Sequence, residues 1–340
     1  MKIWMPYIAA GSGSDISTHY LAAGLKKFGC EVIKQSFNRY FEFAPWLLKR
    51  VTPPADTDIV LTNSWNGFAF IRHGARMVTV DRLFVLDPAL EPYKSKLQRY
   101  YHQYLVRHFV RQSLNHADAV VAVSHYTADI LARTLQCSRP HVIVNAIDTD
   151  FFSPPPSNKE PLLNRPVRLL YVGNLSARKG TDLLAPIARV LGSRYELRYT
   201  SGLRLAKNFT NSPPNLLPIG RLNQEQVREA YRQADLLIFP SRGEGLPRAV
   251  MEAMACGTPV VAANVSSLPE AVSDHVGRLC PVDDVMGFVN AIHELTQDPI
   301  ALNNMSMNAR SHAEQHFNLN RMIEEYVVLF EQVLQKSKNS

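Results

Sequence analysis

The chain has 340 residues, of which 46% are hydrophobic and 20% are charged. This length predicts about two domains, and the composition excludes a disordered chain, a collagen-like chain and a coiled coil. No apolar run reaches the ~18 residues of a membrane-spanning helix, and the N-terminal residues become polar too quickly for a signal peptide. The four cysteines lie far apart, so we expect free thiols in a reducing cytosol rather than disulfides or a zinc site.

The net charge of +7 is unevenly distributed. Residues 1–150 hold 17 basic and 12 acidic side chains, a net +5, whereas residues 151–340 hold 20 and 18, a net +2. The basic half suggests an anionic partner. Candidates are nucleic acid, a phosphorylated substrate and the negative inner leaflet of a membrane. The alternative is that the charge serves solubility alone.

Short apolar runs alternate with helical patterns through the first half of the chain. A helix is predicted over residues 17–28. The predicted strands span residues 2–8, 31–36, 58–62, 77–80, 119–123 and 142–144. Strands that alternate with helices indicate βαβ units and a parallel sheet.

The same alternation restarts after a proline-rich segment that predicts an interdomain linker. The chain ends in an amphipathic helix over residues 320–336. The predicted strands of this half span residues 167–172, 195–200, 215–219, 235–239 and 259–263. We therefore expect an α/β protein with two Rossmann-like doubly wound domains, whose ligand lies between them beyond the carboxyl ends of the strands. The predicted divisions are residues 1–152 (N-terminal domain), 153–166 (linker), 167–318 (C-terminal domain) and 319–340 (helix and tail).

A glycine-rich loop follows the strand predicted to end near residue 240. Gly243 and Gly245 flank Glu244, and a helix begins near Pro247. Glycines allow a ligand to approach the backbone closely, and the N–H groups near Gly245, Leu246 and Arg248 suit an anion at the helix N-terminus.

Two acidic residues accompany this predicted anion site. Glu252 follows Glu244 by eight positions, which places it about two turns into the helix. Since carboxylates accept hydrogen bonds from hydroxyls, the pair fits a ligand that carries both phosphate and a ribose or sugar ring. The alternative is a solvated helix with surface acids.

This segment resembles the E-x7-E element of retaining GT-B glycosyltransferases, in particular family four (glycosyl transferases group 1). The resemblance is dense over residues 118–285 and thin before them. It includes the family's glycine loop at residues 172–180 and the stretches 123–127, 144–152, 215–220, 230–241, 258–261 and 268–270. It implies a GT-B fold, with two Rossmann-like domains facing a cleft and a C-terminal helix that crosses back to the N-terminal domain.

The resemblance also implies residue roles. Glu252 would hold the ribose hydroxyls of a nucleotide-diphosphate sugar, Glu244 would contact its sugar ring, and Lys179 would neutralise the departing diphosphate. Glu244, Lys179 and Asp81 are the candidate catalytic residues. The candidate donor-binding residues are Gly11, Gly13, Gly173, Asn174, Arg178, Lys179, Gly243, Glu244, Gly245, Leu246, Arg248 and Glu252.

Two positions depart from the family pattern. Asn174 stands where the family usually has arginine, and Arg178 could replace that cation. Many members have a His–Asp pair after the strand that ends near residue 80, where this chain has Asp81 without the histidine. Either Asp81 contacts the donor sugar, or His19 or His73 has taken the role.

A glycine turn, Gly11 to Ser14, follows the first predicted strand. The dinucleotide fingerprint is incomplete because residue 16 is Ile rather than Gly. In GT-B enzymes this loop closes over the donor phosphate or forms the acceptor edge; the alternative is a simple strand–helix turn.

Two Asp-x-Asp triplets, Asp56 to Asp58 and Asp148 to Asp150, resemble the metal-binding pair of a different glycosyltransferase fold. We expect both to be structural. With Lys179 and a helix N-terminus on the diphosphate, we expect neither a metal nor any other cofactor.

The segment 93–111 combines basic and aromatic residues at helical spacing. Arg99, Arg107 and Arg111 share one i, i+4 row. Tyr93, Leu97, Tyr100 and Tyr104 form a stripe. This pattern suits an anionic bilayer or a phosphate-bearing acceptor, and the alternative is a packed helix with a solvated basic face. Nucleic acid is not expected, because no recognition module is present.

The resemblance thus implies retaining transfer of a sugar to a glycan, a lipid-linked or another cell-envelope acceptor, with the departing phosphate taking the acceptor proton. We expect a cytoplasmic protein that can bind peripherally to the inner face of the membrane. The alternatives are a nucleotide-sugar epimerase or hydrolase on the same fold, and an inactive donor-binding partner subunit.

Overall fold

The computed structural model describes residues 1–9, 11, 13–72, 74–156, 162, 165–201 and 211–336. The chain forms two compact units, residues 1–145 with the C-terminal segment from residue 319, and residues 146–318. Residues 146–152, which the sequence analysis assigned to the N-terminal domain, therefore lie in the second unit. Residues 157–161, 163 and 164 of the predicted linker lie outside the described residues.

Each unit contains a six-stranded parallel sheet. The first has the order β2-β1-β3-β4-β5-β6 and the second the order β12-β11-β10-β7-β8-β9. The strands are β1 (Lys2–Ala9), β2 (Glu31–Asn38), β3 (Ile59–Asn63), β4 (Arg76–Asp81), β5 (Ala119–Ala122), β6 (His141–Val142), β7 (Val167–Tyr171), β8 (Tyr195–Thr200), β9 (Leu216–Gly220), β10 (Leu236–Phe239), β11 (Val260–Ala263) and β12 (Gly277–Cys280). These two sheets confirm the predicted α/β class.

Helices follow most of the strands. They are α1 (Gly13–Lys27), α2 (Lys96–Tyr101), α3 (Arg107–His116), α4 (His125–Leu135), α5 (Leu184–Leu191), α6 (Gln224–Gln233), α7 (Arg248–Ala255), α8 (Leu268–Ala271), α9 (Val285–Gln297), α10 (Pro299–His316) and α11 (Leu319–Lys336). Short 3-10 helices after β2 span Arg39–Glu42 and Pro45–Arg50, and a π-helical turn, His102–Val106, joins α2 to α3.

The sequence analysis missed strand β12. It begins at Gly277, and glycine within an apolar run normally indicates a break. Here a Cβ atom at Gly277 would lie 2.0 Å from the carbonyl oxygen of Val260 in β11. The glycine therefore lets β12 approach its neighbouring strand instead of ending the sheet.

The C-terminal helix α11 packs on the first unit, as the resemblance implied. Ile323 is fully buried and lies against Gly24 of α1, where a Cβ atom would stand 2.5 Å from the Ile323 side chain. Arg321 also donates a hydrogen bond to the carbonyl oxygen of Val144 (2.8 Å). The last helix of the chain thus completes the first unit.

None of the described helices is both long enough and apolar enough to cross a bilayer.

The packing of α11 predicts a difference between two truncations on that helix. Ile323→Ala should lower the free energy of unfolding by about 2–4 kcal/mol, because it removes buried atoms and leaves a cavity. Val328→Ala is the control on the same helix, since Val328 is 52% exposed, and should change stability by less than about 0.5 kcal/mol. Urea unfolding followed by circular dichroism measures both. Equal stabilities of the two variants would contradict the docking of α11.

Candidate functional site

Two loops of the second unit meet beyond neighbouring strands. One loop follows β7 and ends at Gly180, and the other follows β10, which pairs with β7 in parallel. Gly180 has φ +64°, and a Cβ atom there would stand 1.9 Å from the carbonyl oxygen of Pro240. The Arg242 N–H donates to the carbonyl oxygen of Arg178 (2.8 Å). The chain therefore requires glycine at position 180 to bring the two loops into contact.

Arg242 connects the same loops through its side chain, which is almost fully buried. Its guanidinium binds both oxygens of Asp182 (2.7 Å each), Asp283 (2.6 Å) and the carbonyl oxygen of Ala177. The hydrogen bonds that Arg242 donates to Asp182 raise its pKa above the usual value. Sequence analysis gave this residue no role, although an arginine before Gly-Glu-Gly and an aspartate after the glycine loop were visible signals.

Glu244 lies at the centre of this junction and is 8% exposed. Its carboxylate accepts hydrogen bonds from Lys179 Nζ (2.5 Å) and Ser241 Oγ (2.5 Å), and Arg178 Nη1 lies 3.5 Å away. Burial opposes ionisation of Glu244, yet the charges of Lys179 and Arg178 hold its pKa below the usual range. Burial also lowers the pKa of Lys179, and the charge of Glu244 opposes that shift. The Glu244 carboxylate therefore lies between two basic side chains.

Arg178 points toward this cluster, a direction that the sequence could not give. Its Nη1 donates to the carbonyl oxygen of Gly243 (2.5 Å). Asn174 is exposed, and its carbonyl oxygen accepts a hydrogen bond from the Tyr171 hydroxyl (3.0 Å). The Gly173 N–H donates to Thr200 Oγ1 (3.0 Å). Arg178 thus places a cation beside Glu244. It could serve in place of the arginine that the family usually has at the position of Asn174.

Glu252 is buried on α7, the helix that begins directly after the Glu244 loop. Its two oxygens accept hydrogen bonds from Arg248 Nη2 (2.9 Å) and from the Tyr231 hydroxyl (3.2 Å). Pro247 directly precedes the first residue of α7, so the helix begins near Pro247 as the sequence analysis predicted. The loop, including Leu246 and the two flanking glycines, is buried.

Asp81, the third candidate catalytic residue, belongs to the first unit. It ends β4, is 2% exposed, and accepts a hydrogen bond from Ser64 Oγ (2.7 Å). Its Oδ1 atom has no hydrogen-bond partner among the described residues. Burial raises the pKa of Asp81 to about 6.

A cavity of about 300 Å³ lies next to Asp81, at the carboxyl ends of β1, β3 and β4. Its polar lining includes Asp15, Glu42, Asn66 and Arg82. Burial raises the pKa of Glu42 and lowers that of Arg82. The cavity thus combines carboxylates, amides and a guanidinium, which are groups that bind hydroxyls.

The first glycine turn also lies in the first unit. Gly11 has φ +69°, and its N–H donates to Asp15 Oδ2 (2.6 Å). Gly13 begins α1 with open space around its Cβ position, and Ser12 between them lies outside the described residues. The hydrogen bond from Gly11 to Asp15 stabilises a strand–helix turn. That this turn closes over the donor phosphate stays a prediction.

Neither His19 nor His73 is placed at the Asp81 cavity as a replacement for the family histidine. His19 is exposed on α1, bonds to Tyr7 Oη (3.1 Å), and does not line the Asp81 cavity. His73 lies outside the described residues. Asp81 is accordingly the candidate that the structure places at a cavity.

Each Asp-x-Asp triplet contains an aspartate whose carboxylate accepts backbone hydrogen bonds. Asp58 Oδ2 accepts the Lys2 N–H (2.7 Å), and Asp148 Oδ1 accepts the N–H groups of Asp150 (3.1 Å) and Phe151 (2.9 Å). In the part of the chain that the structure describes, no three His, Cys, Asp or Glu side chains form a candidate metal cluster.

The basic aromatic helix differs from its predicted form. The π-helical turn interrupts the i, i+4 row, and Arg107 is half-buried with its Nη2 donating to the carbonyl oxygen of Thr134 (3.2 Å). Arg107 therefore holds the end of α4, whereas Arg99 and Arg111 are exposed.

Exposed apolar residues from the two 3-10 helices lie beside this segment. The Tyr101 hydroxyl donates to the carbonyl oxygen of Glu42 (2.6 Å), and the rings of Phe43 and Tyr101 are 5.8 Å apart. We call the following set, together with Arg99 and Arg111, the basic aromatic surface: Tyr40, Phe43, Trp46, Leu47, Leu97, Tyr100 and Tyr104, which are 46–78% exposed. Sequence analysis missed the first four, because short 3-10 helices have no long periodic pattern.

Two family models match the chain. Residues 32–151 match Glycosyltransferase Family 4, and residues 156–312 match Glycosyl transferases group 1. The two matches fall on the first and second halves of the chain, including the thin region before residue 118.

Curated relatives carry related sequences. A D-inositol 3-phosphate glycosyltransferase of Paenarthrobacter aurescens is 29% identical over 58% of this chain and 51% of its own length. An alpha-maltose-1-phosphate synthase of Mycolicibacterium smegmatis is 28% identical over 66% of this chain and 65% of its own length. The chain thus spans less than two thirds of these relatives.

Solved structures share the fold across nearly the whole chain. A sucrose-phosphate synthase from Thermosynechococcus elongatus has a TM-score of 0.82 at 18% identity, over 98% of this chain and 99% of its own. HepE of Anabaena, solved with UDP-glucose, has a TM-score of 0.75 at 16% identity, over 96% of this chain and 99% of its own. By its two matched family models and its GT-B fold, the chain belongs to the family-four-like group 1 glycosyltransferases.

Proposed function

We propose that the chain transfers a glycosyl unit from a nucleotide-diphosphate sugar to an acceptor hydroxyl, with retention of configuration and without a metal. The observation that carries the proposal is the junction in the second unit, where Lys179 and Arg178 surround Glu244 directly before helix α7. Two cations and a helix N-terminus suit a diphosphate. The nearby carboxylates suit sugar hydroxyls.

The donor nucleotide would be held on α7. The Glu252 carboxylate accepts from the ribose hydroxyls, in exchange for part of its bonding to Arg248 and Tyr231. Arg248, near the helix N-terminus, is then available to phosphate oxygens. The relatives solved with UDP and UDP-glucose make uridine diphosphate sugars the first donors to test.

The proposed reaction exchanges one bond at the anomeric carbon for another. The bond from that carbon to the diphosphate oxygen breaks, and the acceptor oxygen forms its bond on the same face of the sugar. Negative charge develops on the departing diphosphate, and preorganised cations lower the barrier where charge develops. Lys179 and Arg178 supply that field, Glu244 orients a sugar hydroxyl, and the departing phosphate takes the acceptor proton.

The ribose contact predicts a loss of donor affinity in Glu252→Gln. Replacing the charged acceptor should cost about 1.5–3 kcal/mol, which raises the dissociation constant for the cognate nucleotide sugar at least tenfold. Calorimetric titration of UDP-, GDP- and ADP-sugars measures it in EDTA, because the proposed site needs no metal. Glu294→Gln is the control, since that carboxylate is 59% exposed and pairs with Arg278. Unchanged affinity in Glu252→Gln, or binding that requires Mn²⁺, would refute the assignment.

We also propose that the acceptor is lipid-linked and is met at an anionic membrane through the basic aromatic surface. Glu42 and Pro45 line the Asp81 cavity, while Phe43 and Trp46 of the same segment are exposed. An acceptor head group in the cavity would thus leave its lipid beside aromatic rings. Aromatic and basic side chains together suit the interface of an anionic bilayer.

The membrane proposal predicts that Arg99→Gln with Arg111→Gln weakens binding to phosphatidylglycerol-containing liposomes. Each exposed arginine contributes about 1 kcal/mol near such a surface, so the pair should change the partition constant by about thirtyfold. Phe43→Ser with Leu97→Ser should also weaken it, by removal of apolar contact with the interface. Co-sedimentation measures both effects.

The control for these variants is Ile300→Ser with Met307→Ser. It removes exposed apolar side chains, 76% and 58% exposed, from α10 of the second unit. It should leave liposome binding unchanged. Sedimentation of the arginine variant at the level of the parent protein would contradict the membrane proposal.

A further inference from the structure

The Asp81 cavity contains polar atoms that the protein itself leaves without partners. Asn66 is 1% exposed and lines the cavity, and both its Oδ1 and its Nδ2 lack hydrogen-bond partners among the described residues. The Oδ1 atom of Asp81 also lacks a partner among the described residues by hydrogen-bond geometry, although the nearby Leu83 N–H interacts with this carboxyl and lowers its pKa. Buried polar groups are nearly always hydrogen-bonded, so an unpartnered carboxamide beside a cavity indicates a ligand that completes it.

The donors and acceptors among these atoms indicate which ligand group could form hydrogen bonds with them. A carboxamide presents a donor and an acceptor side by side, and the carboxylate adds an acceptor. A hydroxyl both donates and accepts, so hydroxyl groups on neighbouring carbons satisfy all three atoms. Trp65 adds an aromatic face to the lining. Ligand sites commonly combine such an apolar wall with a few polar groups, and about 300 Å³ suits one small polar molecule.

The acidic side chains in the cavity disfavour an anionic ligand group. Three carboxylates line it, those of Asp15, Glu42 and Asp81, against the single guanidinium of Arg82 among the described lining residues. Arg82 interacts electrostatically with Asp15 and Asp81, so its charge is already compensated. A phosphate or carboxylate placed here would meet three acidic side chains and one basic one, although burial raises the pKa of Glu42 and Asp81 and so weakens this repulsion.

We infer that this cavity is the subsite for a neutral polyhydroxyl unit of the acceptor, a sugar or cyclitol ring without a phosphate, and that Asn66 reads its hydroxyls. The inference rests on the proposed glycosyl transfer, because it assigns the cavity to the acceptor of that reaction. It makes Asn66 a specificity-determining residue, and it assigns Asp81 to the acceptor instead of the donor sugar that the resemblance implied.

Two variants separate ligand binding from a structural role. Asn66→Leu removes both unpartnered polar atoms and keeps a similar volume, so the melting temperature should stay equal or rise, because exchange of an unsatisfied amide for an apolar group is neutral or stabilising. The matched control is Thr79→Val. Its Oγ1 is also buried without a partner, but Thr79 does not line the cavity.

Saturation-transfer difference NMR on the full chain measures binding of the probes glucose, galactose, mannose, N-acetylglucosamine and myo-inositol, each compared with glucose 6-phosphate. At least one neutral probe should bind more tightly than the phosphate ester. Asn66→Leu should weaken it at least tenfold, whereas Thr79→Val should leave it unchanged.

Several outcomes would overturn the inference. They are tighter binding of glucose 6-phosphate, no binding of any neutral probe, full binding by Asn66→Leu, or a fall of several degrees in its melting temperature, which would mark Asn66 as structural. Titration with nucleotide sugars keeps the proposed function separate. If donors bind through Glu252 and neutral probes do not bind, the inference fails alone; if neutral probes bind and donors do not, its assignment to an acceptor falls with the proposed function.

Discussion

The buried ion pair between Lys179 and Glu244 is the interaction on which the second unit's site depends. It joins the loop after β7 to the loop after β10, with 2.5 Å between Lys179 Nζ and Glu244 Oε1. A buried pair is costly to form and costly to break on one side only, since the remaining charge is left uncompensated. The backbone contact at Gly180 and the Arg242 clamp hold the loops so that this pair persists. In the proposed reaction, the same cation is in place before negative charge develops.

The first unit satisfies its polar groups less completely around the Asp81 cavity. Asn66 and Asp81 have buried atoms without hydrogen-bond partners among the described residues. In the second unit, Glu252 accepts hydrogen bonds on both oxygens, and Glu244 Oε1 accepts from Lys179 and Ser241. The contrast fits two kinds of ligand. The proposed donor side holds charged groups that must be balanced at all times, and the acceptor side, as we infer it, leaves neutral hydrogen-bonding groups for hydroxyls to complete.

Much of the fold followed from periodicity, because strands β1 and β7 are apolar runs closed by glycine or polar residues. Strand β12 was missed, since Gly277 indicates a break until the neighbouring carbonyl of Val260 is seen. The E-x7-E element and the glycine loop singled out Glu244 and Lys179 in the sequence as candidate site residues. Sequence spacing does not specify side-chain geometry. It therefore could not give the direction of Arg178, the bonds from Arg242 to Asp182 and Asp283, or the hydrogen bond from Arg107 to Thr134. Asn66 had no sequence signal, because it is distinguished only by side-chain atoms that lack a hydrogen-bond partner among the described residues.

The central claim is that Lys179 and its neighbours bind the diphosphate of the donor. The most direct measurement compares the affinities of a nucleoside monophosphate and the corresponding diphosphate, in EDTA, for the parent protein and for Lys179→Met. In the parent, the second phosphate should tighten binding at least tenfold, because charge-assisted hydrogen bonds contribute about 1.5–3 kcal/mol. In Lys179→Met that gain should largely disappear, while monophosphate binding changes little. An undiminished gain in the variant would contradict the account.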